Sequence, residues 1–235
     1  LLSLAAAYKN DFDVEQAKRY VALSGIAYCG DPLISSNNVD TWTCKACKKF
    51  PGVNATAFKG SLATDALGYV AYDPSENEIV IAFAGTDPKS IRNWIDDLST
   101  LKTDYPYCSS TNCQVHKGFY RSYQSTDAVV KSLLESYLSS HPGASIAITG
   151  HSLGAALAAH ALAELTQAGY KIKAPYTYGM PRVGDEAFEM WYKSTLSGTY
   201  RVTHHKDPVP HVPTKSMGFH HMPYEVSACM LIFDL

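Results

Sequence analysis

The chain has 235 residues, of which 46% are hydrophobic and 18% charged, the proportions of a globular protein with a sizeable core. No Gly/Ser/Pro-rich linker or composition shift divides it, so residues 1–235 read as one domain. A formal net charge of −2 and nine scattered histidines offer no basic block to a nucleic acid. No apolar run reaches the roughly 18–20 residues of a membrane span, and no internal repeat is present.

Leu1-Leu2-Ser3-Leu4-Ala5-Ala6-Ala7 is apolar and ends in small residues. It reads either as the tail of a secretory signal or as the start of the first helix. Residues 13–28 carry apolar side chains at helical spacing, with Asp13 placed to cap the start and Gln16 at the capping-box position. Residues 30–56 read as loop. The β-rich runs "ALGYVAYD" and "EIVIAFAG", separated by Pro74-Ser75-Glu76-Asn77, predict a hairpin. Residues 123–141 predict an amphipathic helix with Val129, Leu133, Leu134 and Leu138 on its apolar stripe. "SIAITG" predicts a short buried strand, "LGAALAAHALAELTQAG" a helix ending at Gly169, and "APYTYGMPRVG" and "YRVTHHKDPVP" two further strands. Helices alternating with strands point to an α/β fold with parallel central strands.

The cysteines are six: Cys29, Cys44, Cys47, Cys108, Cys113 and Cys229. Cys44-Lys45-Ala46-Cys47 has no second such pair to complete a zinc site, and it sits in a polar loop rather than after a thioredoxin-like strand. Two short-range pairs and one long-range pair suit a secreted, oxidised protein. Six cysteines nonetheless allow fifteen pairings. Asn54-Ala55-Thr56 is a glycosylation sequon, which makes Asn54 a candidate acceptor.

Gly150-His151-Ser152-Leu153-Gly154 matches the G-x-S-x-G nucleophile elbow, and it lies between a predicted strand and a predicted helix, the context that gives the motif its meaning. The serine must stand on a sharp turn, and glycines on either side let strand and helix approach. A serine hydroxyl needs a base, and on such a fold the partners follow in the order serine, acid, histidine. Downstream lies "THHKDPVPHVPTKSMGFHHMPYEV". Asp207 opens its Pro-rich turn, and His204, His205, His211, His220 and His221 all compete for the base. Their spacing matches no familiar metal motif. His151 points away from substrate in an elbow and reads as structural. His160, mid-helix, and His116, in a loop, gain no catalytic role from spacing.

Ordered blocks from about Asp13 to Cys229 resemble the class-three, fungal-type triacylglycerol lipases of the α/β-hydrolase superfamily. They are "YVALSGIAYCG", "IAFAGT", "SIRNWIDDL", "VHKGFY", "ITGHSLGAALAAHAL", "YTYGMPRVGDEAF" and "VTHHKDPVPHVP". The resemblance implies an α/β-hydrolase fold, a mostly parallel sheet flanked by helices with a short helical lid over about residues 88–98. It also implies Ser152 as nucleophile, Asp207 as acid and His221 as base, because the family's histidine lies four residues before a Glu, here Glu225. The oxyanion donors it implies are Thr86 and the backbone N–H of Leu153. The chain departs from the family at Ala84, where an Arg is customary, and at Val226 and Ser227, where an aromatic usually follows the Glu. The interval from Gly85 to Trp94 is also two residues longer. The family's long bridge implies Cys29–Cys229, leaving Cys44–Cys47 and Cys108–Cys113 as short loops.

Within "SIRNWIDDL", Ile91, Trp94, Ile95 and Leu98 fall at i, i+3, i+4 and i+7 and form one apolar face, with Ser90 placed to cap the start. The expected activity is secreted, extracellular hydrolysis of acylglycerol esters by a monomer working at the lipid–water interface, with no metal and no organic cofactor. The alternatives on the same scaffold are a feruloyl-type or soluble-ester esterase and a phospholipase or galactolipase. A catalytically dead lipid-binding relative is the non-enzymatic alternative.

Overall fold

A computed structural model describes residues 12–30, 39–64, 66–87, 90–173, 175–196 and 198–228. Leu1–Ala7 and Cys229 lie outside these residues, and with them the leader segment and the Cys29–Cys229 bridge.

The first helix, α1 (Val14–Ile26), begins as its sequence predicts: Asp13 accepts hydrogen bonds from the N–H groups of Glu15 and Gln16. Strand β1 (Asn54–Lys59) follows, inside a stretch that the sequence suggested was loop up to residue 56. Asn-Ala-Thr-Ala-Phe-Lys has little β-branched character of its own, and its pairing with β2 (Leu67–Asp73) supplies the extended form. The hairpin of β2 with β3 (Glu78–Phe83) is formed as expected. A short helix, α2 (Ile91–Asp96), then precedes the small antiparallel pair β4 (Lys102–Asp104) and β5 (Gln114–His116).

Helix α3 (Lys117–Ser140) starts six residues before the predicted position, because His116 caps it through a hydrogen bond from the Phe119 N–H. Val130 and Leu134 carry its buried stripe, whereas Val129 is largely exposed. Strand β6 (Ser145–His151) runs into helix α4 (Leu153–Gln167), which stops at Gly169 with φ +93°. Then come β7 (Tyr176–Tyr178), α5 (Glu186–Thr195), β8 (Tyr200–His204) and β9 (Glu225–Ala228). Helix α5 has no clear periodic signal in the sequence, for it buries only Phe188 and Tyr192.

Seven strands form one sheet in the order β1-β2-β3-β6-β7-β8-β9. The first three are antiparallel neighbours, and every pairing from β3 onward is parallel. Helices cover both faces, so β3 is buried along its whole length. Ile79, Ile81 and Phe83 face the core shared with α3 and α4, while Val80 and Ala82 face the core shared with α1. An ion cluster docks α1 onto the β2–β3 end of the sheet. Arg19 bonds Asp73 and Glu78 at 2.6 Å each, and the buried Glu78 also accepts from Tyr20 Oη at 2.7 Å and from Lys173 Nζ at 3.2 Å. Disulfides join Cys44 to Cys47 and Cys108 to Cys113.

Candidate active site

Ser152 stands at the single-residue junction between β6 and α4. Its backbone has φ 56° and ψ −127°, a conformation that costs a non-glycine residue on the order of 1–3 kcal/mol. The Ser152 N–H donates to Tyr178 O at 2.9 Å, which ties the turn to the neighbouring strand β7. Close approach explains the second glycine of the motif: a Cβ on Gly154 would sit 2.2 Å from Phe83 O. The side chain of Ser152 is fully buried, and its Oγ has no hydrogen-bond partner.

Asp207 lies three residues beyond β8. Its Oδ1 accepts from Val209 N–H at 2.9 Å, and its Oδ2 points to the backbone of Gly179, lying 2.7 Å from where a Cβ would be on that residue. The two neighbouring histidines of the β8–β9 connection separate cleanly. His220 reaches outward to Glu189 of α5, Nδ1 to Oε2 being 3.2 Å. His221 turns inward and donates from Nε2 to Pro210 O at 2.6 Å, leaving Nδ1 buried with no partner. Burial, and then the positive charges of Arg201 and Arg182, push the His221 imidazole down to about 3, against the weaker support of Pro210 O. The ring is therefore neutral, with a free lone pair on Nδ1. Ser152, Asp207 and His221 make no hydrogen bond to one another in this conformation.

Two buried arginines brace the loops that carry the acid and the histidine. Arg182 Nη1 donates to the carbonyls of His211 and Pro213, the latter at 2.8 Å. Arg201 bonds Glu225 at 2.7 Å and Met222 O at 3.3 Å. Sequence reasoning passed over both arginines, along with Tyr28. Single basic or aromatic residues, Arg201 in strand β8, Arg182 in the loop after β7 and Tyr28 in a 3₁₀ turn, carry no spacing signal, and their partners are backbone carbonyls or residues far along the chain.

A groove of about 1040 Å³ runs beside the elbow. Thr86 and Leu153, the expected oxyanion donors, line it together, as do Tyr28, Trp94, Leu98, His116 and Phe119. Helix α2 lies over this groove. Ile91, Trp94, Ile95 and Leu98 are half-buried, and Arg92, Asn93, Asp96 and Asp97 are exposed, the two-faced arrangement that the spacing predicts. Ser90 differs from expectation: its side chain makes no capping bond, and Ser90 N–H instead donates to Asp87 O at 2.8 Å. His116 is not a loop residue but a brace for this region, since its ring also bonds Ser99 O just beyond α2. Asn54 is exposed at the start of the edge strand β1.

The lipase (class 3) family model matches residues 80–217, a span that includes most of β3, α2, the elbow and Asp207. The chain belongs to the class 3 lipase family. The chain is 34% identical over 214 residues to the lipase of Rhizomucor miehei, covering 89% of this chain and 56% of that protein. It is 35% identical over 183 residues to the secreted mono- and diacylglycerol lipase A of Penicillium cyclopium, covering 76% of this chain and 58% of that one. The chain thus spans a little over half the length of these relatives. The solved structure of lipase II from Rhizopus niveus superposes with a TM-score of 0.81 at 32% identity, covering 91% of this chain and 80% of its counterpart. The fold is that of the α/β-hydrolases. No described helix is long and apolar enough to cross a membrane.

Proposed function

We propose that this chain is a secreted lipase that hydrolyses acylglycerol esters through an acyl-enzyme on Ser152, with His221 as base and Asp207 as its partner. The observation that carries the reading is the strained backbone at Ser152, held at a helix N-terminus with an unpartnered hydroxyl. Strain and an unsatisfied buried oxygen both cost stability, and an elbow that presents a nucleophile is the function that accounts for the pair. The family relationship, a relative named as secreted and the two disulfides support the rest.

In the first step the Ser152 Oγ bonds to the ester carbonyl carbon while its proton passes to the imidazole of His221. For this the ring leaves Pro210 O and turns, so that one nitrogen meets Ser152 and the other Asp207. The negative oxygen of the tetrahedral intermediate accepts from Leu153 N–H, at the positive end of the α4 dipole, and from Thr86. The alcohol departs with the proton, a water activated by His221 attacks the acyl carbon, and the fatty acid leaves. Helix α2 acts as the lid, with its apolar face over the groove in water and outward at a lipid surface.

A fluorophosphonate probe tests this directly: Ser152 is the labelled residue, and Ser152→Ala abolishes labelling. Asp207→Asn and His221→Ala each lower kcat by several orders of magnitude, on the order of 10³–10⁴, while His220→Ala stays near wild type. A panel of triacylglycerol emulsion, phospholipid, feruloyl ester and soluble short-chain ester gives the highest rate on the emulsion. Loss of activity in His220→Ala but not His221→Ala, or preference for the soluble ester, overturns the corresponding part of the reading.

A further inference from the structure

Strand β3 ends at Phe83, and the Ala84 N–H to Leu67 O bond of 2.9 Å is the last ladder contact before Thr86. The position of Thr86 therefore depends on what holds Gly85. Gly85 is wedged in the elbow: a Cβ there would lie 2.5 Å from Tyr28 Oη, 2.7 Å from His151 O and 3.0 Å from Ser152 Cβ. Its N–H donates to the Tyr28 hydroxyl oxygen. Tyr28 comes from the 3₁₀ turn Ala27–Gly30 that follows α1, and its side chain reaches the groove.

The Tyr28 hydroxyl also lies 2.7 Å from His151 Nδ1. With that oxygen already accepting from Gly85, its own proton is available to Nδ1, the arrangement in which a neutral His151 carries its ring proton on Nε2. Burial holds this ring below its ordinary pKa against the pull of Asp207, in keeping with a neutral acceptor. Nε2 faces the acid. It lies 3.6 Å from the Cβ position of Gly179, the point that Asp207 Oδ2 approaches to 2.7 Å. A chain of polar groups thus runs from Gly85 through Tyr28 to His151, whose ring feels the charge of Asp207. It ties the Gly85 loop and the turn after α1 to the end of strand β6. The position of His151 before the nucleophile suggested a structural residue, and its contacts give it a narrower task.

We infer that Tyr28 and His151 are positioning residues that set the Gly85–Thr86 loop against the elbow, so that Thr86 meets the oxyanion in register. The inference rests on the Ser152 acyl-enzyme reading. Displacements of about 1 Å in reacting geometry cost on the order of 10²-fold in rate, so loosening one anchor of this loop is felt in kcat. Substrate binding draws on the groove walls instead and is spared.

The test uses the full chain, p-nitrophenyl butyrate as soluble ester and butylboronic acid, which forms a tetrahedral adduct at a reactive serine. Tyr28→Phe removes one oxygen and keeps the ring. Its kcat falls about tenfold or more, with KM within about twofold and butylboronic acid affinity falling in step with kcat. His151→Gln, which keeps an acceptor for the Tyr28 hydroxyl, retains more activity than His151→Leu. A Tyr28→Phe kcat equal to wild type overturns the inference. So does a loss confined to thermal stability, or equal activity in the two His151 variants. Ser152→Ala run alongside separates the two readings. Hydrolysis surviving in Ser152→Ala removes the acyl-enzyme itself, whereas an inert Ser152→Ala beside a fully active Tyr28→Phe removes only the positioning role.

Discussion

Trp94 of α2 stacks on Phe119 at the start of α3, with ring centroids 6.0 Å apart and 20° between the planes. Phe119 in turn stacks on the His116 ring at 3.8 Å, and His116 bonds Ser99 O, just past the end of α2. Helix α2, which buries none of its side chains fully, is thus tied to the body by an aromatic pair and, just past its end, by a bond from the His116 ring to a backbone carbonyl. An aromatic pair of this kind contributes about 0.5–1.5 kcal/mol beyond its buried area, which on the lid reading proposed above is small enough for a lipid surface to outweigh.

On that proposed lid reading, Trp94→Ser removes the contact that keeps α2 over the groove. Wild type shows a rise in rate as a short-chain triacylglycerol passes its solubility limit, and Trp94→Ser flattens it several-fold while changing soluble-ester hydrolysis little. Rate against tributyrin concentration across that limit is the measurement, and a smooth curve in wild type removes the lid from the account.

Ser152→Gly gives an inert but more stable protein. Glycine adopts φ 56° without strain, and the buried unpartnered hydroxyl is gone. A gain of about 1 kcal/mol raises the melting temperature of a chain this size by roughly 2–4 °C. A lower melting temperature than that of wild type, measured by calorimetry, contradicts the strain argument.

Glu78→Gln leaves the buried Arg19 guanidinium with one fewer anionic partner and weakens the tie to Tyr20 and Lys173. Breaking a buried ion pair typically costs about 3–5 kcal/mol, whereas Lys18→Ala, which removes an exposed pair with Glu15, costs less than about 1 kcal/mol. Urea denaturation of the two variants checks the ranking. Asp73 in the same cluster adds an acid dependence. Burial pushes its carboxyl up, but the bonds from Ser75 and Arg19 outweigh this and hold it below its ordinary value of 3.8. Its contribution is present above that pH and is lost as pH falls through the lowered folded value.

His160 sits wholly buried in α4 among Tyr105, Tyr120, Tyr123 and Phe188, and burial first, then His116, push its pKa down to about 3. The unfolded chain takes up a proton near pH 6.5 that the folded chain refuses until about pH 3. Stability is therefore full above pH 6.5 and declines as pH falls, by up to roughly 1.4 kcal/mol per unit for this one group. His221, also pushed down to about 3, contributes in the same direction. In a melting-temperature profile from pH 4 to 8, His160→Leu has a shallower acid limb than wild type. Parallel limbs reject the assignment.

The elbow was legible because its chemistry is local: β-branched strand, glycine-flanked serine and alanine-rich helix all lie within residues 145–167. The β2–β3 hairpin was legible for the same reason, through Pro74-Ser75-Glu76-Asn77. The two faces of α2 were legible from periodicity alone. Strand β1 was not, because its extended form comes from β2 rather than from its own residues. Helix α5 was hidden because two buried side chains, Phe188 and Tyr192, make too thin a stripe to stand out. The link from Tyr28 to His151 joins residues 123 positions apart and has no local signature at all.

Arg182 and Arg201 hold the Pro208–Pro213 and Met222 segments mainly by their carbonyl oxygens. Every residue type presents that oxygen. The exposed side chains of these loops, Pro208 and His211, are therefore left open to change without disturbing the backbone path that carries Asp207 and His221, whereas Val209, Pro210, Pro213 and Met222 are buried. Related chains are free to retune the rim of the site here, in charge, bulk or polarity, while the scaffold beneath it stays put. The same logic makes each arginine the inflexible member of its contact, so tolerance to substitution is expected to be lowest at positions 182 and 201 and high at the exposed position 211.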